Sequence, residues 1–366
     1  MKLSYHLTLV FAAFAVVLSM TSCNNTSNGF YKTAISSADT HTNSTFRAII
    51  ATDDGSVWAA GSGNTVVRTT DGGESWDVFT VGDSLKTEFR SLMAWNASTA
   101  LVFTIDSPAV CYRTDDGGKS WNQVYYKAAK GMFIDSVNFS DELHGVAVGD
   151  PIDGKIFTLT TNDGGLSWTE IEGPENPGGM FAASNTCTDM LTPSRILIAT
   201  SSSQVHIGDG NKWQTVETPI TRGAANGCDG CYGIWMINEN NGFLYGGNYE
   251  FVSNKNGVLA KTNDGGQTWS LCEDGIHGFV SAVAMLCPQT NVKRQQINAV
   301  LVASGSDGIS VSHDAGSTWE DLSSELPEGV KGYHALTSTG DVIWAAGSHG
   351  HIGKIYQIVP SKEIRH

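Results

Sequence analysis

The chain has 366 residues, with 37 acids against 22 bases, a formal charge of −15 and only 16% charged residues. This acidic balance excludes nucleic acid and anionic membrane surfaces as partners, because phosphate contacts need clustered Lys and Arg. The 41 glycines and the aromatics spread along the whole length are the composition of an all-β chain with many turns.

Met1-Lys2 is followed by an apolar run over 7–18 and then by Met20-Thr-Ser-Cys23, which resembles a lipobox with Cys23 as the acylated residue. The run is too short to span a membrane. Residues 1–22 therefore read as a lipoprotein signal peptide and 23–29 as a polar tether. Asn24 stands where an Asp would retain a lipoprotein in an inner membrane, and no acidic cluster follows Cys23. The resemblance thus implies an outer-membrane anchor on the periplasmic face.

Residues 30–360 read as one domain, with 361–366 as a tail, because a repeat runs through them without a linker. The first unit alternates over Phe46-Arg-Ala-Ile-Ile50, turns at Asp53-Asp-Gly55 and continues as Val57-Trp-Ala-Ala-Gly61. Thr65-Val-Val-Arg68 follows, and the unit ends in Ser75-Trp-Asp-Val-Phe79. Later units are expected to open at Phe89, Phe133, Phe181, Tyr232, Phe279 and Tyr333, and their second strands often end in Gly, as at Gly149, Gly246, Gly305 and Gly347.

Between the third and fourth strands stands one phrase in five copies. They are Thr69-Thr-Asp71-Gly-Gly73-Glu-Ser-Trp76, Thr114-Asp-Asp116-Gly-Gly118-Lys-Ser-Trp121, Thr161-Asn-Asp163-Gly-Gly165-Leu-Ser-Trp168, Thr262-Asn-Asp264-Gly-Gly266-Gln-Thr-Trp269 and Ser312-His-Asp314-Ala-Gly316-Ser-Thr-Trp319. A degraded copy, Ile207-Gly-Asp209-Gly-Asn-Lys-Trp213, falls in the one double-length gap. A phrase recurring at fixed spacing marks a repeat architecture rather than a catalytic motif. Its chemistry is that of a hairpin turn: Asp bonds backbone N–H groups a residue or two on, glycines supply positive φ, and the Trp wedges between neighbouring sheets. A calcium loop is excluded because the alternating acids and distal Glu are missing.

The pattern Ser/Thr-x-Asp-x-Gly-x-x-Trp resembles the Asp-box, or BNR, repeat. The resemblance covers about residues 43–358 and implies a β-propeller of the kind found in sialidases, sortilin-type receptors and photosystem II assembly factor-like proteins. The DGGxSW spelling is most similar to the last of these and implies a binding or assembly role. A sialidase would need an Arg-Ile-Pro phrase, from which Phe46-Arg47-Ala48 departs. The last unit, 333–358, supplies three strands and no Asp phrase, while Phe30-Tyr-Lys-Thr-Ala-Ile-Ser36 has strand-like composition. The expected fold is therefore all-β: a seven-bladed propeller of four-stranded blades in which an N-terminal strand completes the last blade.

In such a ring the residues just after the opening aromatics converge on the axis: Arg47, Arg90, Asp135, Ser184, Ser281 and His334. The second-strand exits add Asp106, Asp150 and, with its neighbours, Tyr249. Arg47, Arg90, Asp106, Asp135, Asp150, Tyr249 and His334 form the candidate funnel, suited to an envelope protein or a polar, anionic glycan through forked Arg contacts. The competing reading pairs Arg47 and Arg90 with Asp106 or Asp135 as a structural ring of ions. A second functional class is a glycoside hydrolase or a polysaccharide lyase using Tyr249, His334 and an Arg. No catalytic residue, metal or cofactor is assigned, and a monomer is expected. Setting aside Cys23 leaves six cysteines. Cys228-Asp-Gly-Cys231 lacks a second ligand pair for zinc and the βαβ setting of a redox motif, leaving a local disulfide or two free thiols.

Overall fold

A computed structural model describes residues 32–82, 85–209, 212–223, 227–272, 275–286 and 300–358. Cys23, the signal and tether segments, Cys287 and the 361–366 tail lie outside the described residues.

Seven four-stranded antiparallel sheets follow one another along the chain. Their innermost strands are Phe46–Ala51, Phe89–Ala94, Ile134–Phe139, Thr188–Thr192, Asp229–Met236, Ala282–Leu286 and Ala335–Ser338, here blades 1 to 7 in order. Among the described residues the helical content is one short 3₁₀ turn, Ser323–Glu325. The fold is a seven-bladed β-propeller. Blade 7 takes its fourth strand from the N-terminal side: Lys32–Asp39 pairs antiparallel with His351–Ile358, from Lys32 opposite Ile358 to Asp39 opposite His351. The strand sits two to three residues later than the predicted 30–36.

The Asp phrase builds one turn five times. In blade 1, Asp71 Oδ1 accepts the Ser75 N–H at 3.0 Å and Asp71 Oδ2 the Ser75 hydroxyl at 2.5 Å, while Gly73 N–H donates to Thr69 Oγ1 at 2.8 Å. The Asp116, Asp163, Asp264 and Asp314 turns repeat these bonds. The carboxylate thus reaches four residues ahead, further than the one or two predicted, because both glycines turn left-handed (φ 72° and 83° at Gly72 and Gly73) and fold the chain back over it. These bonds to the charged form hold Asp71, Asp116 and Asp264 below the usual carboxylate range, the serine or threonine hydroxyl contributing most.

The indole that follows seals the boundary with the preceding blade. Trp76 packs edge-on against Trp344 at 6.1 Å, Trp121 against Trp58 at 6.3 Å, and Trp168 against Phe103 at 5.1 Å. Trp269 and Trp319 do the same work in the clusters of blades 4 with 5 and 5 with 6. Glycines at the second-strand exits serve a different need. A Cβ on Gly61 would stand 2.2 Å from Thr45 O, and one on Gly305 1.9 Å from Phe279 O, so the chain entering each blade passes where only hydrogen fits.

Several predicted openings are displaced: Phe279 and Tyr333 precede their inner strands by three and two residues. Phe181 precedes its inner strand by seven residues, and Tyr232 lies inside its strand rather than at the start. The five described cysteines outside the signal segment are buried and form no disulfide, so the Cys228/Cys231 alternatives resolve in favour of thiols.

Candidate functional site

Four inner strands carry a β-bulge near their entry. The register skips between Phe46 and Ala48, Phe89 and Ser91, Ile134 and Ser136, and Cys231 and Gly233. The skipped residues are Arg47, Arg90, Asp135 and Tyr232. A bulged residue leaves the ladder and its side chain is re-aimed. Repetition of the bulge turns four side chains toward the axis, where blades 1, 2, 3 and 5 meet.

The segment 182–186 lies across that axis. Asn185 Nδ2 donates to Leu92 O of blade 2 at 2.8 Å, and Asn185 Oδ1 accepts the Val137 N–H of blade 3 at 2.8 Å. Ser184 Oγ donates to Ser281 O beside blade 6 at 2.6 Å, and Thr186 O accepts the Ile234 N–H of blade 5 at 2.8 Å. Asn185 adopts φ 64°, a region its short polar side chain tolerates. A ligand approaching from the bulged face therefore meets a floor instead of an open channel.

On that floor the cationic group is assembled. Arg90 is ion-paired through Nε and Nη2 with Glu88, and its Nη1 donates to Ala182 O at 3.4 Å. The competing reading, in which Arg90 pairs with Asp106 or Asp135, is corrected: Glu88, two residues upstream, takes the guanidinium. Arg47 has no hydrogen bond or ion pair to any described residue. Burial, and then the Arg90 charge, push its guanidinium down to about 10, with Glu88 opposing, so it remains cationic at neutral pH. His334 shares the group: Nε2 lies 3.0 Å from Ser348 Oγ, and burial with both arginines lowers it to about 3, leaving a neutral imidazole.

Asp135 is fully buried and both its carboxyl oxygens lack a hydrogen-bond partner. The Asp150 N–H nearby is already donated to Phe133 O at 2.9 Å. Burial, and next the Asp150 charge, raise Asp135 well above the usual carboxylate range, with Arg90 opposing. Asp150 itself accepts the Met180 N–H at 2.9 Å and anchors the loop that leads to the floor. Asp106 stands apart. It is exposed, bridges Phe133 through its backbone, and lines a shallow hollow with Glu88 and Asn64.

The remaining sector is aromatic, a feature the ring-position argument missed. Phe181 stacks on Tyr232 at 3.8 Å, and Tyr232 meets Phe279 edge-on at 4.7 Å. Tyr249 is half exposed, packs edge-on to Tyr232 at 6.4 Å and bonds Cys228. It lies with Glu250 in the loop that follows the second strand Gly242–Asn248. Tyr249 has no described contact with Arg47, Arg90 or His334, so the side chains of the lyase reading are not brought together. The structure brings Arg47, Arg90, Asp135 and His334 near one another; the sequence reading overlooked Glu88, the 182–186 floor and the Tyr232 stack.

The arrangement defines a seven-bladed β-propeller with a closed, bulge-lined axial face. No family model matches the sequence, and no curated protein matches it. Solved structures with a similar fold include YCF48 bound to D1 peptide, at 16% identity over 88% of this chain and 96% of that chain, with a TM-score of 0.58. Virginiamycin B lyase from Staphylococcus aureus is 12% identical over 90% of this chain and 100% of that one, TM-score 0.63. The WD40 β-propeller domain of Doa1 is 14% identical over 92% and 98%, TM-score 0.61.

Proposed function

We propose that the protein is a lipid-anchored binding scaffold whose axial face holds an anionic segment of a cell-envelope protein. The observation that carries this reading is Arg47, a partly buried guanidinium that makes no hydrogen bond or ion pair with a described residue, beside Arg90 and above a sealed floor. Leaving a cation desolvated and unpaired is costly, and an incoming carboxylate would offset that cost with a forked contact. The half-exposed Tyr249, packed on Tyr232, offers apolar surface to the same segment. One propeller of similar fold is known with a bound peptide, which supports the partner class. The Asp turns further support kinship with Asp-box propellers of the photosystem II assembly factor type. Attachment through Cys23 to the periplasmic face of the outer membrane completes the reading; alkynyl fatty acid should label the wild type and leave Cys23→Ala unlabelled.

Calorimetric titration with acidic peptides and with uronate oligosaccharides tests the site. Binding should weaken by about tenfold or more in Arg47→Ala/Arg90→Ala, since a charge-assisted bond contributes roughly 1.5 to 3 kcal/mol, while the melting temperature stays put. Early melting of that variant would instead make the arginines structural. Turnover of a uronate would move the protein to the enzyme class.

A further inference from the structure

Departures from the repeat converge at one place on the circumference. Blade 4 alone among blades 1 to 6 lacks the full Asp phrase; its Asp209 makes only a short turn, accepting the Lys212 N–H at 3.2 Å. Trp213 packs, partly buried, against the apolar cluster shared by blades 3 and 4. It lies over Gly208, its ladder partner, where a Cβ would come within 2.9 Å of the ring, and its Nε1 donates to Glu172 O of blade 3 at 3.1 Å. Outside that contact a cleft of about 520 Å³ opens between the two blades. That volume is within the range of roughly 300 to 1,000 Å³ for small-molecule sites.

The lining is two-sided. Trp213, Met190 and Ile196 supply apolar surface, and Thr160, Thr169 and Asn162 supply hydroxyl and amide groups. Its carboxylate is compensated, because Glu172 pairs with Lys155, and His144 pairs with Asp141 at 2.9 Å. Lys212, exposed, adds a donor. Beside the lining residues His144 and Ser167 stand Leu143 and Leu166, 52% and 55% exposed. The other four Asp phrases place Glu74, Lys119, Gln267 and Ser317 where blade 3 has Leu166. In a repeat protein whose units otherwise agree, a degraded Asp phrase, an aromatic wall and exposed leucines nearby mark a surface kept for binding.

We propose that this cleft is a second binding site, which takes a neutral pyranose unit of an oligosaccharide. A pyranose presents an apolar C–H face and an edge of hydroxyls that both donate and accept. Trp213 and Met190 match the first, and Thr160, Thr169 and Asn162 the second. The near-balance of charge around the cleft favours a neutral sugar over an anion and separates this site from the axial face.

The test is calorimetric titration of the full chain with maltotetraose, cellotetraose, xylotetraose and mannotetraose in separate runs. At least one should bind, and Trp213→Ala should weaken it roughly tenfold. Thr160→Val/Thr169→Val keeps side-chain shape while removing two hydroxyls, and should weaken binding as well, which covers the case in which Trp213→Ala does not fold. Arg47→Ala/Arg90→Ala should bind the sugar as wild type does, whatever becomes of the axial site. Absence of binding to all four sugars, binding indifferent to the cleft variants, or loss only in the arginine pair would each overturn the assignment.

Discussion

Asp135 occupies a bulge at which the ladder gives its neighbours partners and gives its carboxyl none. A buried, unpartnered carboxyl is tolerable only when neutral, so the folded state keeps a proton that the unfolded chain releases above the ordinary 3.8. The sign follows from linkage. The folded state binds more protons, and stability therefore falls as pH rises from that value through the raised folded pKa. Asn mimics the protonated carboxyl in shape and cannot ionise. Asp135→Asn should melt like the wild type near pH 4 and above it at pH 8, as followed by thermal unfolding at both. An unchanged difference between the two pH values would mean that Asp135 is solvated or paired.

Among the elements, the 182–186 segment does most to define the site, because it belongs to no blade and bonds four of them. Asn185 provides both a donor and an acceptor to neighbouring inner strands, and leaving Leu92 O and Val137 N–H unsatisfied costs about 1 to 3 kcal/mol each. Asn185→Ala should lower the unfolding free energy by roughly 2 to 4 kcal/mol in urea, with loss of the left-handed preference adding to the effect. Since Arg90 rests on Ala182 O, the same variant should also weaken an acidic peptide at the axial face. A stable variant with intact binding would show that the floor is dispensable.

At the scale of the whole molecule, closure joins strands from opposite ends of the described chain, and Ile35 adds apolar contact to the cluster of blades 6 and 7. Deleting residues 24–39 strips eight paired positions from the edge of His351–Ile358. It should lower stability by several kcal/mol, because ladder bonds and packed side chains vanish together. A deletion variant with the wild-type melting temperature would refute closure by this strand. The ring itself was legible in the sequence because its signal is local: each Asp turn satisfies its carboxylate within four residues, and the indole three residues past the last glycine has one boundary to enter. Seven units and a missing fourth strand then leave one way to close the sheet edge. The site was legible only in part. Arg47, Arg90 and His334 share a ring position, which periodicity reveals, but whether a residue at that position stays in the ladder or bulges out depends on the pairing of two strands. Tertiary structure alone decided that Asp135 is orphaned, and that a segment bonded as far as Ser184 to Ser281, 97 residues apart, seals the axis. Those contacts arise from where separate blades come to rest against one another, and no local pattern in the chain encodes that distance.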